Sequence, residues 1–340
     1  MANLSLLSTA YRLFSKTRNN LGSSALFLPR SLSNMANETY PLSKTEAVSY
    51  LEQTLKITKW ESLLRENPLS FLGFMLSQIK LCAPYTNLTF FSKDGIKNPT
   101  LEEGKHFMFT KQGGNCFIIN PFIEAVLRRL GLQTYCVPAS IFHWGSVRFF
   151  GHVGIVVRNL TQTDQLYVLD PGNPYLTTEA VPIDFDRSSP SYGTPIFCYK
   201  CFMVSPGFVH MCKRVDLSDI TKLTDRCHFF VEDDQYWKVL FTYNIFEPQS
   251  APYFVKVNQT FCDDASVFPE VHNDLLLLGY PDGVMVNITR QQCLTVDKYG
   301  KTHVTKITDT SQLLTTIRRY FPQYSVERIE MAMKNLENKN

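Results

Sequence analysis

Apolar residues recur at helical spacing over residues 43 to 55. Val48, Leu51 and Leu55 lie three and four residues apart. They follow Ser43 and Glu46, which match a capping box, because each of these side chains can bond the backbone N–H of the other residue. The pattern predicts a helix that begins near Ser43.

A second helix is predicted over residues 68 to 82. Pro68 suits the first helical position, where its missing N–H costs no hydrogen bond. The apolar stripe of this helix is formed by Leu72, Met75, Leu76 and Ile79. Stripes of this kind usually pack in a core.

A third helical pattern follows the stretch KQGGNC at residues 111 to 116. Its apolar face consists of Phe122, Ile123, Val126, Leu127 and Leu130, and Gly131 ends it. Pro121 leaves two alternatives, because a proline inside a helix removes a hydrogen bond and crowds the preceding turn. Either the helix begins with Asn120 as its cap, or the turn that carries Cys116 is kinked.

The pattern changes between residues 131 and 263 to short alternating or β-branched runs such as HVGIVV, QLYVLD and WKVLFTYNIF. These runs predict an antiparallel sheet or barrel. The last part of the chain mixes the strand patterns DGVMVNIT and CLTVDK with a helical pattern near residues 311 to 320. It therefore predicts an α/β ending.

The composition is that of an ordinary globular protein. The chain has 340 residues, of which 44% are hydrophobic and 19% charged, and this leaves room for two or three subdomains. Its 34 basic and 31 acidic residues form no long basic run, so nucleic acid is not an expected partner. No segment approaches about 18 uninterrupted apolar residues, so we expect no membrane partner.

The first residues differ from the rest. They are rich in Ser and Leu and carry Arg12, Lys16, Arg18 and Arg30, with no acidic residue before Glu38. This composition is typical of a mitochondrial transit peptide, and the alternative is a dispensable or disordered leader. A start at Met35 would omit it. We expect a cytoplasmic protein or, through residues 1–34, one of the mitochondrial matrix.

Nine cysteines are spread over the chain without the dense spacing of a disulfide scaffold, which favours free thiols in a reducing compartment. A zinc site is one alternative, from Cys198, Cys201, His210, Cys212, Cys227 and His228. Cys198 and Cys201 are three residues apart in an alternating strand, however, so their sulfurs are expected on opposite faces. We therefore expect no metal.

One histidine and one aspartate are placed together by a predicted hairpin. Alternation puts Val153, Ile155 and Val157 on one strand face and His152 on the other. The polar stretch RNLTQTDQ then reads as a loop centred near residue 161 or 162. Folding the hairpin there brings His152 opposite residue 170 or 171, within reach of Asp170.

Cys116 completes a set that a thiol nucleophile requires, namely a base to hold the thiolate and a carboxylate to orient the imidazole. Lowering a thiol pKa by about 2 units needs roughly 2.7 kcal/mol, which an imidazolium and a helix N-terminus can supply. Gly113 and Gly114 would allow a sharp turn and leave peptide N–H groups free for an oxyanion. Each residue alone also fits a structural role.

Together these residues resemble the motifs of the arylamine N-acetyltransferases. QGGNC is similar to the Arg-Gly-Gly-x-Cys motif of that family, GHVGIVV to its histidine strand, and VLDPG to its aspartate followed closely by glycine. APYTNLTF is similar to the Pro-Phe-Glu-Asn-Leu segment, and YPDGVMVNITRQQCLTV to the C-terminal lid. The resemblance covers about residues 42 to 325.

The resemblance implies an α+β fold in three subdomains. Residues 1–36 would be the leader, 37–131 a helical subdomain with the nucleophile, 132–248 an antiparallel β-barrel and 249–340 an α/β lid. Cys116, His152 and Asp170 would be catalytic, and Gly172 and Ser266 would contact acetyl-CoA. A ping-pong reaction through acetyl-cysteine would acetylate arylamines, hydrazines or related amines, and we expect a monomer.

Two departures from the family pattern bear on this hypothesis. The motif arginine is replaced by Gln112 beside Lys111, and the loop after Asp170 carries Asn173 and Pro174. A transglutaminase-like or papain-like amidase stays open as an alternative, because it uses the same Cys-His-Asp order. So does a catalytically degenerate member that binds coenzyme A.

Overall fold

The computed structural model describes residues 40–337 except 94, 144–145, 194–196, 217–227 and 267–268. The predicted leader at residues 1–36 and Cys227, one of the residues considered for the alternative of a zinc site, lie outside these residues. Within them, no helix has the length and apolar character that crossing a membrane requires.

Helices form the first part of the described chain and return at its end. The early helices are α1 (Lys44–Ser49, continued by a π-helical turn at Tyr50–Thr54), α2 (Trp60–Glu66), α3 (Pro68–Cys82), α4 (Leu101–Phe109) and α5 (Cys116–Arg129). The later helices are α6 (Ala251–Asp263), α7 (Pro269–Asn273), α8 (Thr310–Tyr320) and α9 (Val326–Glu337).

The local signals for helix ends are confirmed. Ser43 and Glu46 make both hydrogen bonds of the capping box in front of α1. Asn115 caps α5, and Gly131 follows this helix with a φ of +94°. The start at Asn120 is wrong, since α5 begins at Cys116 and runs through Pro121.

Sixteen strands lie in the described residues. The first three are β1 (Tyr85–Thr86), β2 (Phe91–Ser92) and β3 (Gly95–Ile96). The middle of the chain contributes β4 (Gln133–His143), β5 (Ser146–Arg158), β6 (Leu166–Leu169), β7 (Val181–Pro182), β8 (Tyr192–Gly193), β9 (Cys198–Ser205), β10 (Phe208–Val215), β11 (Phe229–Glu232) and β12 (Gln235–Asn244). The end contributes β13 (Leu277–Gly279), β14 (Met285–Ile288), β15 (Gln292–Val296) and β16 (Thr302–Lys306).

The middle strands form one antiparallel sheet in the order β7-β6-β5-β4-β12-β10-β9-β8, with β11 on β12. This sheet curls, because Val181 near one edge and Tyr199 near the other belong to the same buried cluster. The expected barrel is therefore a half-barrel. Its outer face packs on the helices through Ile155 and Val157, so the strand that carries His152 lies against the helical layer.

A second sheet joins the helical first part of the described chain to its C-terminal part. Its order is β1-β13-β14-β15-β16, so Tyr85 and Thr86 pair with a strand almost two hundred residues later. Tyr85 also forms an isolated parallel bridge with Gly114. The two-residue strand β1 thus lies between the loop that leads to Cys116 and the C-terminal sheet.

Candidate active site

Cys116 is the first residue of α5 and is only 2% exposed. Oδ1 of Asn115 accepts from the N–H of Phe117 at 3.1 Å, and this cap fixes the start of the helix. The thiol therefore sits at the positive end of a fourteen-residue helix, where a thiolate is favoured.

The glycine pair brings this loop close to another piece of backbone. Gly113 has a φ of +65°, and a Cβ there would lie 2.0 Å from the carbonyl oxygen of Pro84. The N–H of Gly114 donates to the same oxygen at 3.1 Å. The sharp turn is confirmed, and the N–H of Gly114 is not among the groups free for an oxyanion, because it donates to Pro84.

His152 lies on the inner face of β5, and its position relative to Asp170 differs from the expectation. The register pairs Ile155 with Leu169, so extending the ladder would place His152 opposite Gly172. Asp170 follows the end of β6 and is a diagonal neighbour on the same face. Direct opposition is therefore wrong, while the predicted contact between the two side chains is confirmed.

The three predicted side chains meet in a buried cluster. Nε2 of His152 lies 2.7 Å from Oδ2 of Asp170, and both residues are 2% exposed. Cys116 lies beside the same ring, since its charge and hydrogen bonding both act on the pKa of His152. Burial alone lowers the pKa of His152, but the charges of Asp170 and Cys116 and their hydrogen bonds outweigh it and raise this pKa to about 10. The ring is thus protonated at neutral pH.

Two further donors hold the carboxylate of Asp170. The hydroxyl of Tyr243 donates to Oδ2 at 2.6 Å, and Nδ2 of Asn120 donates to Oδ1 at 2.8 Å. Burial first, and then the negative charge of Asp170, raise the pKa of Tyr243 well above its ordinary value, so the hydroxyl keeps its proton. These bonds satisfy a carboxylate that has little access to water.

A lysine is buried beside the same carboxylate. Lys80 lies on α3, and its Nζ donates a short hydrogen bond to the carbonyl oxygen of Asn173. Burial lowers the pKa of Lys80 to about 7, although the charge of Asp170 acts in the opposite direction. Lys80 thereby anchors the loop that follows Asp170.

The two predicted coenzyme contacts have different surroundings. The N–H of Gly172 donates to Oδ1 of Asn120 at 2.7 Å, and a Cβ at Gly172 would lie 2.9 Å from that side chain. Ser266 is exposed, and its hydroxyl donates to Asp264 at 2.7 Å. Contact of either residue with a coenzyme stays a prediction.

The loop in front of the glycine pair is held through its backbone. Tyr324 donates its hydroxyl proton to the carbonyl oxygen of Gln112 in a short hydrogen bond, and Gln323 donates to the carbonyl oxygen of Lys111 at 3.0 Å. Among the described residues, the side chain of Gln112 donates to the exposed Thr110, at 3.0 Å. Residues of the C-terminal part, rather than a side chain at position 112, thus brace this loop.

A chain of buried amides connects the start of α5 to α6. Nδ2 of Asn115 donates to Oδ1 of Asn258 at 2.9 Å, and Nδ2 of Asn258 donates to Oδ1 of Asn98 at 2.6 Å. Asn98 in turn donates to the carbonyl oxygen of Val255 at 2.8 Å. These hydrogen bonds hold helix α6 against Asn115, the residue that precedes Cys116.

The described residues hold no group of three or more Cys, His, Asp or Glu side chains arranged for a metal ion. Cys201 packs in the core of the curled sheet, whereas Cys198 packs against a separate cluster that contains Cys212 and Trp237. The sulfurs of Cys198 and Cys201, the pair considered for the zinc alternative, thus lie in different environments.

Several residues that support the site were missed by the sequence analysis. Asn120 lies one helical turn after Cys116, and this i, i+4 spacing is a signal that points it to the same side of α5. Tyr243, Lys80 and Tyr324 carry no comparable local signal. The aromatic ring that stacks on His152 is Phe241, with a centroid distance of 4.2 Å.

No protein-family model matches the sequence, and the curated proteins give no match. Solved structures do match. Arylamine N-acetyltransferase C from Bacillus anthracis is 16% identical with a TM-score of 0.64, and the match covers 82% of this chain and 98% of that one. For the arylamine N-acetyltransferase from Mycobacterium abscessus the identity is also 16% and the TM-score 0.64, with coverage of 91% and 99%.

A third structure is an arylamine N-acetyltransferase from Bacillus cereus with a Cys-His-Glu catalytic triad. It is 17% identical with a TM-score of 0.60, and the match covers 80% of this chain and 96% of that one. Nearly the whole length of each of these proteins is thus matched by the helices, the half-barrel and the C-terminal sheet. The chain has the fold of the arylamine N-acetyltransferases.

Proposed function

We propose that the protein is an acetyl-CoA-dependent N-acetyltransferase that acts on arylamines, hydrazines or related amines. The observation that carries the proposal is the buried contact of 2.7 Å between His152 and Asp170, with Cys116 at the start of α5 close enough to raise the pKa of the same ring. An imidazolium can hold a thiolate, and a carboxylate can hold the imidazolium. The fold favours acetyl transfer as the use of this arrangement.

The first half-reaction forms an acetyl-enzyme. The thiolate of Cys116 attacks the thioester carbon of acetyl-CoA, and a new C–S bond forms. The bond to the coenzyme sulfur then breaks, and the departing sulfur takes the proton of the His152 imidazolium. Acetyl-Cys116, neutral His152 and free coenzyme A result.

The second half-reaction returns the enzyme to its starting state. The amine nitrogen attacks the acetyl carbon, and neutral His152 accepts the proton that this nitrogen loses. The C–S bond to Cys116 breaks, which restores the thiolate beside the imidazolium and releases the acetamide. Asp170 keeps the ring oriented through both steps.

The likeness to the Bacillus cereus protein gives the carboxylate role a precedent, because that protein pairs its cysteine and histidine with a glutamate. Aspartate has the same charge and a shorter side chain. In the present chain the 2.7 Å contact is made by Asp170 from the turn that follows β6.

The test is incubation of the full chain with acetyl-CoA alone, followed by intact mass and peptide mass spectrometry. We expect one added acetyl group on Cys116 and its loss when an arylamine or a hydrazine is added. Cys116→Ala should carry no acetyl group. Cys136→Ala is the matched control, because Cys136 is buried in the same cluster and burial raises its pKa well above the ordinary value.

Two results of this experiment would contradict the proposed acetyl transfer. An unmodified Cys116 together with cleavage of a glutaminyl peptide would favour the thiol amidase. Coenzyme A binding without acetylation would favour a binding protein. Either result overturns the proposed transfer reaction.

A further inference from the structure

A cavity of about 380 Å³, the α4–α9 cavity, lies between strand β2 and the helices α4 and α9. Its volume falls in the range that small-molecule sites of proteins occupy. Among the described residues that line it, none is Cys116, His152 or Asp170. The cavity is therefore separate from the candidate active site.

Hydrogen bonds fix the walls of the α4–α9 cavity relative to each other. Nη1 of Arg328 on α9 donates to the carbonyl oxygen of Phe91 on β2 at 2.9 Å. Two turns further along α9, Nδ2 of Asn335 donates to the carbonyl oxygen of Ser92 at 2.8 Å. The side chain of Arg328 is thus held in place at the cavity.

Aromatic side chains form much of the apolar lining. Phe91 and Phe107 are buried and Met331 is half-buried, and all three line the cavity. Rings of this kind pack well against the flat apolar body of a ligand.

The guanidinium of Arg328 is a fixed positive charge in this lining. Its Cζ lies 5.5 Å from the centroid of the Phe107 ring, as in a cation–π contact. Its hydrogen bond goes to the neutral carbonyl group of Phe91. Neither contact neutralises the charge, and the planar guanidinium is suited to binding a carboxylate through two parallel hydrogen bonds.

The two carboxylates that line the cavity have other partners. Glu103 forms an ion pair of 2.9 Å with Lys97. Glu327 is exposed and interacts with Ser325 and with the charge of Arg318. The ion pairs within the described residues include none to Arg328. An anion that enters the cavity would therefore meet a guanidinium without a competing carboxylate partner.

A buried hydroxyl in the lining lacks a partner. Thr89 belongs to the 3₁₀ turn at Leu88–Phe90 and is 4% exposed. Its Oγ1 makes no hydrogen bond within the part of the chain that the structure describes. A buried hydroxyl of this kind costs free energy, and a polar ligand atom that bonds it would remove this cost.

We propose that the α4–α9 cavity is a binding site for a small aromatic carboxylate, whose ring packs on Phe91 and Phe107 and whose carboxylate binds Arg328 and accepts from Thr89. The site goes beyond the proposed acetyl transfer, because it shares no catalytic residue with it. Lys93, which is exposed in the same lining, adds to the attraction of an anion.

The test is calorimetric titration of the full chain with 2-naphthoate, with its uncharged analogue 2-naphthamide and with inorganic phosphate. We expect saturable binding of one 2-naphthoate and affinities at least about tenfold lower for the other two compounds, since each lacks either the charge or the ring. No saturable binding of 2-naphthoate overturns the inference. Equal affinity for 2-naphthamide overturns the role of the charge, and equal affinity for phosphate overturns the aromatic ligand.

Arg328→Gln should lower the affinity for 2-naphthoate at least about tenfold. Arg319→Gln is the matched control, because Arg319 is exposed on α8 and lies 5.1 Å from the ring centroid of Tyr320, away from the cavity lining. It should bind 2-naphthoate like the wild type. Unchanged affinity of Arg328→Gln, or an equal loss in both variants, contradicts the assignment.

Thr89→Val keeps the proposal testable if Arg328→Gln does not fold. We expect about fivefold weaker binding of 2-naphthoate, while the urea midpoint of the protein does not fall, because the hydroxyl that is lost has no partner in the free protein. A purely structural role of Thr89 would lower the midpoint and leave the affinity unchanged. That result overturns its contact with the ligand.

The cavity and the proposed function fail separately. Cys116→Ala abolishes any acetyl transfer but should bind 2-naphthoate with wild-type affinity. If this substitution weakens binding and Arg328→Gln does not, 2-naphthoate occupies the candidate active site and the inference falls. If Cys116 is not acetylated and 2-naphthoate still binds through Arg328, the transferase proposal fails and the cavity assignment stands.

Discussion

Asn120 donates a hydrogen bond of 2.8 Å to Oδ1 of Asp170 and another of 2.5 Å to the carbonyl oxygen of Val153. It also accepts from the N–H of Gly172 at 2.7 Å. One side chain on the helix of Cys116 thus bonds the strand of His152 and the turn of Asp170.

Asn120→Ala should destabilise the fold by about 3 kcal/mol, because the change leaves buried polar groups without partners. Urea unfolding gives the measurement. Gln259→Ala is the control, since Gln259 is exposed on α6 and its side chain, within the described part of the chain, bonds the nearby Asp263. Unfolding of Asn120→Ala at the same urea concentration as the wild type would contradict the assigned contacts.

Substitution by alanine should cost more stability at Gly113 than at Gly131. Gly113→Ala adds a methyl group 2.0 Å from a backbone oxygen at a φ of +65°, so both a clash and backbone strain arise. Gly131→Ala has a φ of +94° but no atom within 4 Å, so only the strain arises. We expect the free energy of unfolding to fall by about 1 kcal/mol for Gly131→Ala and by at least twice that for Gly113→Ala. If denaturant unfolding gives equal losses of unfolding free energy for the two variants, the close approach to Pro84 does not contribute to the cost of Gly113→Ala.

The ion pair of His152 predicts a pH-dependent stability. Its pKa is raised from 6.5 to about 10 in the folded state, so its contribution is complete below pH 6.5 and is lost as the pH rises to about 10. The difference in unfolding free energy between the wild type and His152→Gln should therefore shrink across this window, by an amount on the order of a few kcal/mol. Parallel urea titrations at several pH values test this, and a constant difference contradicts it.

Lys80 should make the stability of the protein depend on pH in the opposite direction to His152. Its pKa is lowered from 10.5 to about 7, so between these values the unfolded chain binds more protons than the folded one. The wild type should gain stability relative to Lys80→Met as the pH rises from 7 to 10.5. Lys59→Met, at an exposed position, should give no such trend. A relative loss of wild-type stability over this range would contradict the burial of the ammonium group.

Sequence analysis correctly predicts those parts of the fold that depend on residues close together in the chain. The capping box of Ser43 and Glu46 and the alternation of Val153, Ile155 and Val157 depend on neighbours a few residues away, and both are confirmed. The contact of His152 with Asp170 followed from a single hairpin. Its register was wrong because a polar loop does not fix its own centre to one residue.

The supporting residues could not be predicted in this way. Tyr243 lies 73 residues from Asp170, Lys80 lies 93 residues from Asn173, and Tyr324 lies 212 residues from Gln112. Contacts at such separations depend on how the sheets and helices pack, and they produce no periodic pattern in the sequence. A tyrosine in a strand or a lysine in a helix therefore looks ordinary in the sequence.

The brace of Tyr324 on Gln112 has a consequence for biosynthesis. A ribosome releases the loop in front of Cys116 long before it adds the tyrosine that holds this loop, since 212 residues separate the two partners. A nascent chain can thus contain Cys116, His152 and Asp170 while the loop still lacks its final anchor. A transcript truncated by a stop codon before position 323 would encode all three groups and still yield a protein whose nucleophile loop lacks the hydrogen bonds from Gln323 and Tyr324.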